Sequence, residues 1–356
     1  MAERLKTVVV GLGIGQTHVR AYKNLPEQFE VVAVCDIDEE KAQDVAAKHE
    51  IPRAIYALET VCRMDDVDVV DICTPSSLHS RQVLQVLEAG KHAICEKPIA
   101  GSLAAVDALL EAEKHSGKRV MPIFNYRFGH GLQKLRLLQE RGLTGRVYLS
   151  AIEVMWRRRP DYYGVPWRGK WATEMGGTLV THAIHFLDAL LYVVGPAKRV
   201  FARTTTRVNP IETEDCAVVS LEMADGSLAT VAVTLGSPEE ITRQRYCFEN
   251  LVAESNREPY PENTSDPWTF YGDTAAVDAE IETVLADFEP LPESFKGQFW
   301  RFHRALRQDM EIPVTLNNAR RVNELLTAIY HSVETGANVT LPIPPDHPMY
   351  DSWAPI

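Results

Sequence analysis

The chain predicts two domains of different build. Residues 1–124 read as an α/β domain on a doubly wound parallel sheet, and residues 125–356 as an α+β domain with a large, mostly antiparallel open sheet. Three observations carry this reading. Strand-like and helix-like segments alternate over the first 124 residues, the pattern of a parallel sheet covered by helices. A glycine-rich turn follows the first strand, and long alternating stretches joined by hairpin signals replace the pattern after residue 125.

In the first domain, segments 7–10, 31–35, 69–73, 92–95 and 119–123 are β-branched or apolar runs of strand length. Helical patterns fill 16–25, 39–49, 79–89 and 103–116, with Ser102 as N-cap of the last and Gly90 and Gly117 as stops. In the second domain a helix over 132–141 ends near Gly142, and strands follow at 147–155, 199–207, 217–223 and 227–234. Asp225-Gly226 joins the last two as a hairpin. Segment 254–274 is rich in Pro, Asn, Ser and aromatics and reads as a loop or lid. A long helix over 318–335 stops at Gly336, and the Pro-rich tail after it is free to return to the first domain.

Composition narrows the partners. With 37 basic and 49 acidic residues the formal charge is −12, which argues against nucleic acid or an anionic membrane surface. No stretch reaches the roughly 18 apolar residues a membrane span needs, and the first residues run directly into a strand without a leader pattern. The cysteines (Cys35, Cys62, Cys73, Cys95, Cys216 and Cys247) form no C-x-x-C pair. A reduced, cytoplasmic protein is expected.

Gly11-Leu12-Gly13-Ile14-Gly15 lies between the first strand and the first helix. Glycines there let backbone N–H groups approach a pyrophosphate at a helix N-terminus. The third glycine, expected at position 16, is Gln16, and Gly15 comes one residue early, so the turn is shortened. Asp36, 25 positions after Gly11, ends the second strand, where a carboxylate accepts from an adenosine ribose. It repels a 2′-phosphate, and neither Ile37 nor Asp38 compensates, so NAD is favoured over NADP. A capping aspartate is the plainer alternative. Thr74-Pro75 with His79, at the end of a later strand, would border the nicotinamide side; a capped helix start explains the same residues. Glu96-Lys97-Pro98 closes the strand over 92–95 and brings a lysine to the edge where open α/β sheets bind ligands. Its plain alternative is a surface ion pair at a turn.

Together the glycine turn with His18 downstream, Asp36, Thr74-Pro75 with His79, and Glu96-Lys97-Pro98 resemble the Gfo/Idh/MocA oxidoreductases. Glu174-Met175-Gly176-Gly177-Thr178-Leu179-Val180-Thr181-His182-Ala183-Ile184-His185-Phe186-Leu187-Asp188 resembles that family's Gly-rich helix bearing a histidine, and 336–342 its ending. The resemblance implies a Rossmann domain binding Gly11, Gly13, Ile14, Gly15, Asp36, Thr74, Pro75, His79, Glu96 and Lys97 to the nucleotide. It also implies a carbohydrate-like alcohol as substrate, and dimers or tetramers packed through the second domain's sheet. One departure stands out: Thr181 occupies the place where many members carry an aspartate. Lys97 and His185 then act as a pair, with Thr181 and His182 as support.

Hydride removal from a carbinol carbon needs a base for the hydroxyl proton. Histidine is the side chain that titrates nearest neutrality, so His185 is the expected base, and Lys97 would polarise the hydroxyl or share the proton. Substrate contacts are expected from Lys97, Tyr126, His182, His185 and the aromatic-basic stretch 156–171, with Arg158, Trp167 and Arg168. Aromatic faces stack on sugar C–H faces and guanidinium groups donate paired hydrogen bonds. Core packing is the simpler role for Tyr126, and a subunit contact for the stretch 156–171. No metal is expected: the steps of three in His182-x-x-His185-x-x-Asp188 drift around a helix. Three functions fit: an NAD-dependent oxidoreductase for a secondary hydroxyl of a sugar, cyclitol or glycoside; NAD-assisted glycoside cleavage through transient C3 oxidation; and a nucleotide-binding sensor without turnover.

Overall fold

The structure is a computed structural model that describes residues 4–354. The chain divides into two compact units. One holds the described residues up to Phe124 together with Phe295–Arg320; the other holds Asn125–Ser294 and the described residues from Arg321 on.

The first unit is a Rossmann fold. Its elements run β1 (Leu5–Val10), α1 (Gly15–Lys23), β2 (Phe29–Cys35), α2 (Glu39–Lys48), β3 (Ala54–Ile55), α3 (Leu58–Cys62), β4 (Val69–Ile72), α4 (His79–Glu88), β5 (His92–Cys95), α5 (Leu103–Ser116) and β6 (Val120–Pro122). All sheet pairings are parallel, in the order β3-β2-β1-β4-β5-β6. Helices cover both faces, so Val8, Val9, Val34, Val70, Ile72 and Ile94 are fully buried and the strands read as unbroken apolar runs. The Ser102 hydroxyl caps α5 by accepting from the Ala105 amide at 3.2 Å, and Gly117 ends it at φ +66°. β3 and α3 are too short to leave a period in the sequence. A distant segment completes this unit: Phe299 stacks on Tyr22 at 4.2 Å, Gln298 donates to the Pro122 carbonyl at 2.7 Å, and Arg320 pairs with Asp107 at 2.6 Å.

The second unit runs α6 (His130–Glu140), β7 (Val147–Arg157), α7 (Trp171–Glu174), α8 (Thr178–Thr181), α9 (Ile184–Val194), β8 (Ala197–Thr205), β9 (Cys216–Met223), β10 (Leu228–Thr234), β11 (Gly236–Phe248), β12 (Leu251–Glu254), β13 (Thr269–Gly272) and α10 (Ala275–Ala286). Next come α11 (Ser294–Gln308), which belongs to the first unit from Phe295, then α12 (Leu316–Thr335) and β14 (Val339–Thr340). The eight strands follow the order β13-β12-β11-β7-β10-β9-β8-β14, antiparallel except for β7 beside β10. One face buries Ile152, Val154, Val219, Leu221, Val231 and Val233; the other exposes Leu149, Val218 and Leu228. Gly226, at φ +88°, makes the predicted turn between β9 and β10.

Three expectations change. Segment 254–274 is packed rather than a lid. The buried Asn263 amide donates to the Thr242 and Asn256 carbonyls at 2.8 and 2.7 Å, and Trp268 donates to the Asn263 carbonyl at 2.8 Å. A polar network holds this segment, so no apolar period marks it. The Gly-rich helix is three short helices, α7 to α9, interrupted at 175–177 and 182–183. The tail lies within the second unit, where β14 pairs with β8 and the Trp353 indole donates to the Met175 carbonyl at 2.6 Å.

Candidate active site

In the first unit the candidate residues gather at the C-terminal ends of β1, β2, β4 and β5. The order of strands reverses between β1 and β4, the place where such sheets bind nucleotides. Gly11 sits there at φ +89°, and a Cβ on it would fall 2.7 Å from the Cys73 carbonyl carbon. Only glycine brings the two loops this close. Around Gly13 a Cβ would meet nothing, and Ile14 is exposed, which leaves open space over the turn. Gln16, in the third-glycine place, folds its amide back onto the Leu12 carbonyl at 2.9 Å, and Gly15 opens α1 against Val9. This turn fits a pyrophosphate.

Asp36 accepts from the Leu12 amide at 2.7 Å, the Asp38 amide at 3.1 Å and the Lys41 ammonium at 2.8 Å. Burial works against its charge, but Lys41 and the two amides hold the carboxyl below its ordinary range. A compensating cation therefore does reach Asp36. It comes from the first turn of α2 rather than from residues 37 or 38. An open groove of about 530 Å³ lies beside it, lined by Gln16, Asp38, Lys41 and Lys48 among others.

Thr74 lies in the loop after β4, and its hydroxyl donates to the Gln82 side-chain carbonyl at 2.5 Å. His79, expected at the nucleotide, is buried with its ring nitrogens on the Pro98 and Thr74 carbonyls at 2.7 and 2.8 Å. It ties the Thr74-Pro75 loop to the Lys97-Pro98 turn, whose peptide is cis. Glu96 also turns inward: Oε1 lies 3.0 Å from His18 Nε2, and Oε2 accepts the Lys97 amide at 3.1 Å. Lys97 is half-buried at the end of β5.

In the second unit, the breaks around α8 arrange the histidines. Gly177 lies so close to Glu214 that a Cβ would stand 1.9 Å from the Glu214 carbonyl oxygen. The buried Glu214 carboxylate accepts from the Gly177 and Leu179 amides at 2.9 and 3.0 Å and from the Tyr330 hydroxyl at 3.0 Å. It caps α8 from outside the helix. Burial pushes its pKa up to about 7.

His182 ends α8. Arg158 Nε donates to His182 Nε2 at 3.1 Å, so that nitrogen carries the lone pair. The proton on Nδ1 goes to the Thr181 hydroxyl at 2.6 Å, which itself donates to the Gly177 carbonyl at 2.7 Å. Thr181 thus fixes the tautomer of His182. The break after α8, where His182 stands at φ −122°, sets their relation. Arg158 also donates to the Tyr260 hydroxyl at 2.9 Å and Glu240 at 3.3 Å. Tyr162 joins this group to the loop: Arg158 and Arg168 lie 5.1 and 3.8 Å from its ring centre, and Arg168 lies 4.6 Å from that of Trp167.

His185 occupies the first turn of α9, stacked on Tyr126 at 4.1 Å and 9°. Tyr126 is buried, so its place is packing against His185 rather than an open wall. The next residue, Arg127, donates twice to Asp188 at 2.6 Å, one turn beyond His185. The 3₁₀ turn Asn125–Phe128 therefore grips α9 at two points. Sequence reasoning missed Glu214, Tyr260 and Lys41, and it weighed Asp188 only as a metal ligand, not as the partner of Arg127. The signal for the Arg127–Asp188 pair was available: one charge of each sign in otherwise apolar or aromatic runs.

A Gly-rich turn at the switch point, an acidic residue after β2 and a lysine after β5 define a nicotinamide-nucleotide-binding oxidoreductase. Residues 5–124 match the oxidoreductase family with NAD-binding Rossmann fold, and residues 132–248 match the GFO/IDH/MocA C-terminal domain. The chain belongs to the Gfo/Idh/MocA oxidoreductase family. It is 28% identical over 358 residues to D-glucoside 3-dehydrogenase of Escherichia coli K12, covering 95% of this chain and 97% of that protein. It is 28% identical over 319 residues to D-xylose 1-dehydrogenase (NADP(+)) 2 of Haloferax volcanii, covering 88% and 93%. Among solved structures, the WlbA dehydrogenase of Bordetella pertussis in complex with NADH and UDP-GlcNAcA matches with a TM-score of 0.83 at 25% identity, covering 96% of this chain and 100% of that one. Among the described residues, no single helix is long and apolar enough to cross a membrane.

Proposed function

We propose that the protein oxidises a secondary hydroxyl of a sugar, cyclitol or glycoside. Bound NAD supplies the hydride acceptor. The observation that carries the reading is Lys97: it stands at the end of β5 on the nucleotide edge, with its backbone held by Glu96. A lysine there donates to the reacting oxygen as negative charge develops on it. His185, fixed against Tyr126, is the base that takes the hydroxyl proton. Thr181 brings no carboxylate and spends its hydroxyl on His182 and Gly177, which supports a pair rather than a triad. Arg158, Trp167, Arg168 and His182 are the proposed sugar contacts. Thr74, Pro75 and the 11–15 turn hold the nucleotide, and His79 and Glu96 act by bracing. Relatives named for a glucoside and for xylose support the substrate class. The exposed face of the eight-stranded sheet is proposed to pair with a second copy of the chain.

The test is a panel of sugars, inositols and glycosides offered with NAD⁺ and with NADP⁺, reading NADH and sugar products together by mass spectrometry. The expected result is a product two mass units lighter with stoichiometric NADH. Aglycone release without NADH accumulation would instead establish transient C3 oxidation with elimination.

A further inference from the structure

His18 lies in the middle of α1 and is fully buried. Its Nδ1 stands 2.8 Å from Asp71 Oδ2 and its Nε2 3.0 Å from Glu96 Oε1. Ionised carboxylates only accept, so both ring nitrogens donate and the ring is an imidazolium. Burial, the largest single influence, opposes that charge, but the charges and hydrogen bonds of Asp71 and Cys73 together raise the pKa of His18 well above its ordinary value. Asp71 Oδ2 takes a second bond from the Tyr22 hydroxyl at 2.9 Å. The rings of Phe295 and Phe299, 4.4 and 5.3 Å from the imidazole, close the group in.

Asp71 sits mid-strand in β4, between Val70 and Ile72, where a parallel sheet calls for apolar side chains. Replacing a buried ion triad by apolar residues is often neutral or stabilising, so this cluster is not explained by stability. Its outlet is informative. The oxygen of Glu96 that His18 does not take accepts the amide of Lys97. His18, Asp71 and Cys73 also offer ligand atoms within 4.8 Å of one another. An imidazole protonated on both nitrogens has no lone pair for a metal.

We propose that His18 is a positioning residue for Lys97: it clamps the Glu96 carboxylate against Asp71, and Glu96 in turn fixes the backbone from which the lysine projects. The proposal rests on the reading of Lys97 as the group at the reacting hydroxyl. A misplaced catalytic group lowers turnover more than binding.

The experiment uses the full chain with NAD⁺ and the substrate found in the panel, and compares wild type with His18→Gln, Glu96→Gln, the double variant, Asp71→Asn and Lys97→Met. Melting, NADH affinity by fluorescence, kcat and KM are read for each. His18→Gln is expected to melt cooperatively, keep NADH affinity and KM within about three-fold and lose about ten-fold or more in kcat. The double variant should fall no lower than the weaker single. If His18→Gln does not fold, Asp71→Asn carries the test, with an expected kcat loss of about three-fold or more at unchanged KM. A folded variant of His18 or Asp71 with full kcat overturns the relay, as do additive losses in the double variant. Wild-type turnover in Lys97→Met would overturn the reading of Lys97 instead, whatever the His18 variants do.

Discussion

At Asp36 the Lys41 ammonium and the Leu12 and Asp38 amides share one carboxylate, and the lysine alters what the motif means. The aspartate alone repels a 2′-phosphate; paired with Lys41 it repels it less. The pair is partly exposed, so its effect is modest. Lys41→Met is expected to raise the preference for NAD⁺ over NADP⁺, read as the ratio of kcat/KM values, by about two- to five-fold. An unchanged or lower ratio would contradict this. Lys41 was hidden from a motif reading because only the helical turn of α2 brings position 41 back to position 36. Gly11, by contrast, was legible: the need for φ > 0 and close approach is written in the residue itself. His18 and His182, each preceded by a threonine, sit in opposite surroundings. Two carboxylates face the first, while a guanidinium and a hydroxyl face the second.

Helix α8 is only Thr178–Thr181, and it persists because Glu214 supplies what its own length cannot. The pKa of Glu214, about 7, lies above its ordinary 4.5, so the folded state keeps a proton that the unfolded chain gives up in between. Its contribution is therefore full below pH 4.5, declines as pH rises to about 7, and is flat beyond. The size is on the order of 3 kcal/mol. The melting temperature of the wild type should fall between about pH 5 and pH 8 relative to that of Glu214→Gln. Parallel pH dependences would refute the assignment. Legibility at this scale followed burial. Strands covered on both faces read as apolar runs, and α5 was placed residue for residue by Ser102 and Gly117. The start of β11, Gly236-Ser237-Pro238-Glu239-Glu240, carries no strand pattern, and the breaks between α7, α8 and α9 leave no mark in the apolar pattern because tertiary contacts such as that of Gly177 with Glu214 make them.

Over the whole chain, the contrast between a parallel first half and an antiparallel second half was legible from the spacing of apolar residues. The return of Phe295–Arg320 to the first unit was not, since an amphipathic helix does not state which core it covers. The sheet's open face carries Val218, 61% exposed, and Leu228, 53% exposed, a density of apolar side chains that suits burial against another copy. Val218→Asp is expected to shift the species seen by light scattering toward the monomer while leaving the fold intact. A wild type that is monomeric at micromolar concentration would contradict the pairing.

Lys97 and His185 are proposed to move the proton while hydride leaves a secondary carbinol carbon. Single-turnover hydride transfer in Lys97→Met and His185→Ala, each preloaded with NAD⁺ and mixed with the substrate, tests it most directly. Each variant is expected to bind NADH normally and to transfer hydride about 100-fold or more slowly. Near-wild-type transfer in both variants would contradict it.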